Sequence, residues 1–183
     1  MNVKLIRRAV PLLLVGSGAC ARAMTAGSDF TPGIDFSRYT SFSWEASDDR
    51  PVGDPRLENN PFFVGRLHNA IERELFLRGI EQGAAGPALT VHHHATVRDH
   101  LEVFEADRAQ GYETPEFGPG TQVVQYDEGT FLVDLADART RQIIWRGWVQ
   151  MDITKALTDG RFMEEQINAA VEMMFEEFPI RER

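Results

Sequence analysis

Cysteine is almost missing from this 183-residue chain, and Cys20 is its one example. No disulfide can form within the chain, and a domain of this length buries enough surface to fold without one. Positive charge is also scarce. Nineteen Lys and Arg stand against 28 Asp and Glu, a formal charge of −9. A chain this acidic lacks the positive surface with which proteins displace counterions from nucleic acid. No internal repeat, Gly-x-Ser-x-Gly elbow, phosphate-cradling glycine loop or Cys–His pairing is visible, which removes the most specific enzymatic signatures.

Acidic residues are absent from the first twenty positions, and what stands there instead is informative. The segment MNVKLIRRAVPLLLVGSGAC has a basic head (Lys4, Arg7, Arg8), a short apolar run from Ala9 to Val15, and then small residues up to Cys20. This is the layout of a secretory signal, and the apolar run is too short to span a membrane. Gly18-Ala19-Cys20 resembles the end of a bacterial lipoprotein box, although Ser17 stands where Leu is usual. Ala19-Cys20-Ala21 and Ala21-Arg22-Ala23 offer ordinary cleavage sites as the alternative. The lone cysteine at the right place after the apolar run favours lipid attachment at Cys20. Residues 1–20 are therefore expected to be a signal peptide and 21–33, rich in small and polar residues, a flexible tether.

A single domain is expected over residues 34–180. YTSFSW reads as a short strand with Phe42 and Trp44 on one side. EASDDRPVGDPRLENN reads as a loop. From Pro61 the period changes to that of a helix, with Phe63, Leu67, Ala70, Ile71 and Leu75 as its apolar stripe, Asn60 as N-cap and Gly79 as stop. A long strand follows from about Ala88 to Phe104. EADRAQGYETPEFGPG is too rich in Gly and Pro for regular structure and reads as a long excursion that could carry function. Two more strands, GTFLVDLADA and QIIWRGWVQMDI, precede a last helix striped by Met163, Ile167, Ala170, Val171, Met174 and Phe178. The expected architecture is α+β: an antiparallel sheet of about four strands, in the order strand-helix-strand-strand-strand-helix, with two helices packed on one face.

LTVHHHATVRDH, residues 89–100, holds four of the five histidines. Side chains alternate across a strand, so the triple histidine divides. His93 joins Leu89, Val91, Ala95 and Val97 on an apolar face expected to meet the helices. His92 and His94 share the polar face with Thr90, Thr96 and Arg98. Two rings rooted about 7 Å apart can share one ion. Zinc asks for a third or fourth ligand, however, and His100 lies about 20 Å along the strand from His94. A solvated polar face is the better reading, and a metal-binding module using His92 and His94 is the alternative. A hydrolytic enzyme built on Asp127, Glu128, Asp134 and Asp137 is less favoured, since Asp137 is placed for turn chemistry and Asp134 lies on a polar face. No cofactor is expected. If Trp145 faces the helices, Trp148 and Arg146 join His92, His94 and Asp134 on the outer layer. Trp, Arg and His together suit a recognition surface; otherwise a long loop covers Trp148 and it is ordinary core.

The segment YDEGTFLVDLADARTRQIIWRGW, residues 126–148, resembles the signature of a bacterial lipoprotein family catalogued only as domain of unknown function 4136. DFSRYTSFSW, LFLRGIE, ALTVHHHATV and a closing helix that runs into FP fit the same family, over most of residues 34–179. The resemblance implies an exported α+β envelope protein of unknown activity, so no catalytic residue comes with it. It implies that Gly129 is a strand entry, that Asp134 and Asp137 are polar positions of a hairpin, and that Trp145 and Gly147 form a packing centre. Arg141 departs from the resemblance at a turn position commonly held by glycine. The expected function is that of a non-catalytic binding or structural module, lipid-anchored at Cys20 on the periplasmic side of a Gram-negative outer membrane. Ala21 is not the Asp that would retain it at the inner membrane, and a soluble periplasmic protein is the alternative. The expected contacts are the membrane through that anchor and an envelope protein, with no nucleic acid. The open sheet face or the loop 105–120 would bind the protein partner.

Overall fold

The computed structural model describes residues 24–45, 54–83, 86–105, 113–114, 118–119 and 121–179. The signal segment, Cys20, the cleavage alternatives and most of the loop 105–120 lie outside these residues. The expected α+β architecture is present, with a larger and more mixed sheet than the strand pattern predicts. The strands are β1 (Thr25–Phe30), β2 (Ser41–Trp44), β3 (Glu81–Gln82), β4 (Leu89–Glu105), β5 (Glu113–Thr114), β6 (Gly118–Pro119), β7 (Thr121–Asp137) and β8 (Ile143–Asp152). The helices are α1 (Pro55–Glu58), α2 (Pro61–Leu77) and α3 (Gly160–Phe175). Six strands form one sheet in the order β1-β8-β7-β4-β2-β3, and β5 and β6 make a separate two-stranded ladder.

Three expectations are corrected. The sheet is mixed rather than an antiparallel set of four: β2 pairs in parallel with both β4 and β3. A parallel neighbour needs a crossover long enough to bring the chain back, and the 17-residue α2 supplies it. Residues 25–30, expected in the tether, form edge strand β1, antiparallel to β8 from Thr25↔Gln150 to Phe30↔Trp145. TAGSDF lacks alternating large apolar residues, so backbone pairing with a preformed neighbour, rather than side-chain pattern, makes it a strand. The Asp- and Pro-rich loop contains α1, capped by the Asp54 carboxylate on Arg56 N–H and started by Pro55. Three helices are therefore present, not two.

The helical periods predict the buried faces well. All five expected stripe residues of α2 are buried, together with Glu74. Asn60 caps α2 by accepting from the N–H groups of Phe62 and Phe63, and Gly79 follows the helix with φ 73°. Asp159 caps α3 in the same way, accepting from Arg161 and Phe162. Phe178 is buried but lies beyond the end of α3, in the segment leading to Pro179. At a register shift at Leu135/Ala136, Ile144 is buried and Ile143 is exposed. From Trp145 onward the side chains alternate across the strand, and Trp145, Val149 and Met151 are buried.

Two glycines on the inner face let other elements approach closely. A Cβ on Gly129 would come within 2.7 Å of Ile153 Cγ2. One on Gly147 would collide with the Trp145 ring and lie 3.1 Å from Met174 Cβ. Arg141, at the β7–β8 turn, adopts φ 60°, the left-handed region where glycine is at ease.

Gly147→Ala is expected to lower stability by roughly 1–3 kcal/mol in urea melts, the range for overpacking a close-packed core. Gly65 lies within α2, with open space where an added methyl group would sit. Gly65→Ala should raise stability by about 0.5–1 kcal/mol in the same measurement.

Candidate functional site

The outer face of the sheet follows from strand register. His92 pairs with Asp134, Asp134 with Arg146, and Arg146 with Asp29, which makes one polar row across four strands. His94, Leu132, Trp148 and Gly27 make the next row. Thr96, Thr130, Gln150 and Thr25 make a third. The alternation that buries Leu89, Val91 and His93 thus gathers all five expected outer residues, His92, His94, Asp134, Arg146 and Trp148, into two adjacent rows.

The charges in the polar row are already engaged. Arg146 Nε and Nη2 donate to the two oxygens of Asp134 at 2.6 and 2.7 Å, the two-pronged geometry that fixes a guanidinium best. Hydrogen bonds to Asp134 raise the Arg146 pKa against the opposing effect of burial. His92 Nδ1 is in hydrogen-bond contact with Glu45 Oε2, from the residue that follows β2. His92 is thus committed to Glu45 rather than to an ion shared with His94. Among the described residues no group of three or more His, Cys, Asp or Glu is arranged to hold a metal.

The apolar row is different. Trp148 and Leu132 are half-buried, yet neither belongs to the hydrophobic core or to the side chains packed against it. The indole of Trp148 lies over Gly27, where a Cβ would sit 3.0–3.1 Å from ring atoms Cζ2, Cε2 and Nε1. Its cover is therefore a glycine of the edge strand. This contact could not be read from the sequence, because β1 itself was hidden there. Side chains beyond Asp99 on β4, His100 included, lie outside the described ones.

His93 is buried, as its strand position predicts, at 3 % exposure. It belongs to a polar cluster between sheet and helices that also contains His68, a residue that sequence reasoning passed over. Trp44 stacks on the His68 ring at 3.7 Å, and the His68 and His93 rings meet edge to face at 5.0 Å. Helical spacing was the available signal: His68 follows Leu67 by one position and flanks the buried stripe of α2. Trp44 Nε1 donates to Glu72 Oε1 at 2.9 Å. His93 Nε2 lies 3.5 Å from Glu58 Oε2, and Glu58 Oε1 accepts from the Ala95 N–H at 2.9 Å. Burial works against ionisation of Glu58. The hydrogen bond and charge of His93 and the Ala95 N–H outweigh it and hold the carboxyl below its usual range. The cluster ties α1 and α2 to β4.

Three of the four expected carboxylate candidates are held by partners of their own. Asp137 accepts from the N–H groups of Arg139 and Thr140 and from the Tyr39 hydroxyl, which together lower its pKa. Asp127 meets Arg56 at 3.3 Å. Asp134 is held by Arg146. These are the satisfactions of turns and strand faces, and they leave none of the three carboxylates poised as an acid–base pair with another.

A family model described as Domain of unknown function (DUF4136) matches residues 26–180. No curated protein matches the chain. Among solved structures, a PDZ domain protein from Parabacteroides distasonis ATCC 8503 is 14% identical with a TM-score of 0.54. The likeness covers 87% of this chain but only 37% of that one, and it is a likeness of fold alone. The PelC dodecamer from Paraburkholderia phytofirmans is 10% identical over 87% of this chain and 100% of that chain, with a TM-score of 0.48.

The Glu58 contacts carry a pH signature. A carboxyl whose folded pKa is lowered contributes stability that is present above its unfolded value and lost as pH falls through the folded one. Glu58→Gln should therefore cost about 1–2 kcal/mol at pH 7, the scale of a lost charged hydrogen bond. Urea melts at descending pH should show the gap to wild type narrowing below about pH 4.

Proposed function

The chain belongs to the family described as Domain of unknown function (DUF4136), and from that premise we propose that it is a non-catalytic binding module of the bacterial cell envelope. It contacts a protein partner through the outer face of its sheet. The observation that carries this reading is the apolar row of Leu132 and Trp148, set outside the core and bordered by the Arg146–Asp134 pair. A large aromatic left off the core, beside a guanidinium held in one orientation, is the composition of an interface hot spot. The pair restrains Arg146 before binding, so less side-chain entropy is lost when a partner docks. Catalysis is disfavoured because Asp134 and Asp137 are already occupied by partners that serve the fold.

Export and anchoring belong to the same proposal. The basic head, short apolar run and lone Cys20 are the support for a lipid anchor. The anchor would hold the domain at the periplasmic face of the outer membrane, with the sheet face free to meet another envelope protein.

Affinity isolation from envelope fractions should recover a partner with the wild-type chain and lose most of it with Trp148→Ala plus Arg146→Ala. Recovery of the same proteins at the same yield would remove this face from the mechanism. Metabolic labelling with a radioactive fatty acid should mark the wild-type chain and leave Cys20→Ser unlabelled; equal labelling would sink the anchor.

A further inference from the structure

The helical layer, on the opposite side of the molecule from the outer sheet face, carries its own unused surface. Helices α2 and α3 run in parallel. Arg66 meets Glu164 at 3.4 Å, Arg73 meets Asn168 at 3.2 Å, and Arg78 reaches the Phe175 carbonyl at 2.6 Å, so the chain numbers rise together along both helices. Both C-termini therefore emerge at one end.

A groove of about 510 Å³ opens at this shared end, with Leu77, Ala169 and Met173 as its apolar surface and Glu172 and Glu176 beside them. Leu77 is 69% exposed and the adjoining Phe76 64%, unusual values for large apolar side chains in a helix. Among the described residues the one cation lining the groove is Arg78, and it is consumed by its own fold. It donates to the Glu74 carbonyl and carboxylate at 2.9 and 2.8 Å as well as to Phe175 O, and it lies over the Phe175 and Phe178 rings. Glu172 and Glu176 thus stand beside an exposed apolar strip, while the guanidinium of Arg78 is turned to the carbonyls at the two helix ends.

We infer that this groove docks an amphipathic helical segment of a protein partner, one that carries Lys or Arg beside its apolar stripe. Leucine-sized side chains of the segment would cover Leu77, Met173 and Phe76, and its cations would meet Glu172 and Glu176. Charge selects this occupant over the others. A second copy of an acidic chain would set like charges against each other, and an anionic membrane surface would be repelled. Helix-in-groove recognition of this kind uses apolar anchors at i, i+3, i+4 and i+7.

A fluorescein-labelled peptide of about eighteen residues, five turns, with Leu and Lys at helical spacing serves as the probe. It is titrated with the full chain by anisotropy at about 150 mM salt, where long-range attraction is largely screened. Micromolar binding is expected. It should weaken at least tenfold with Leu77→Asn plus Met173→Gln, and independently with Glu172→Lys plus Glu176→Lys. Glu81→Lys plus Glu165→Lys makes the same charge change elsewhere and should weaken it less than threefold. Trp148→Ala plus Arg146→Ala should leave it unchanged, which separates this groove from the sheet face. Both groove pairs alter exposed positions, and either alone decides the question if the other fails to fold. The inference is overturned by equal binding of a Leu/Glu peptide or of a shuffled Leu/Lys peptide. It is equally overturned by a loss in the Glu81/Glu165 control as large as in the groove variants, or by no binding at about 100 µM chain.

Discussion

The antiparallel pairing of β4 with β7, unbroken from Leu89↔Asp137 to Glu105↔Thr121, is the constraint on which the rest of the molecule depends. Because successive side chains point to opposite faces, that one register assigns Leu89, Val91, His93 and Ala95 to the helices and Thr90, His92, His94 and Thr96 to the other side. A slip of one residue would exchange the two sets and bury the wrong ones. The helices then need only present their apolar stripes, and β8 extends the division outward through Trp145 and Trp148. Gly129 and Gly147 mark where other elements press against the sheet so closely that no side chain fits.

The same alternation gives three consecutive histidines different physical situations. His93 is enclosed with His68, Trp44 and Glu58, and its contacts with Trp44, His68 and Glu58 fasten the helices to the sheet. His92 meets Glu45 at the junction of β2 and the following loop. His94 lies in the apolar row with Leu132 and Trp148, and its Nδ1 is buried without a hydrogen-bond partner among the described residues. Identical side chains in a run are therefore not a functional unit. Their neighbours across the strands decide what each one does.

Two surfaces remain after the fold has satisfied itself, and they differ in kind. The sheet face presents the Arg146–Asp134 pair beside an aromatic that rests on glycine. The paired helix ends are acidic and apolar among the described residues, with Arg78 turned inward. The partners proposed for the two surfaces would therefore differ in kind, and the placement of the surfaces on opposite layers would leave room for both at once.

The sequence by itself determined the elements whose stability is local or periodic. Helical stripes, the cap at Asn60, the inward position of His93 and the outward grouping of His92, His94, Asp134, Arg146 and Trp148 were all legible, because period and capping chemistry act over a few residues. Tertiary structure alone decided the parallel placement of β2, the existence of β1 and the shift that turns Ile144 inward. It also decided that His68 would meet His93 and that Gly27 would lie under Trp148. These depend on contacts between residues far apart in the chain. A strand such as TAGSDF has no pattern of its own and becomes a strand only when β8 offers it a ladder of backbone hydrogen bonds.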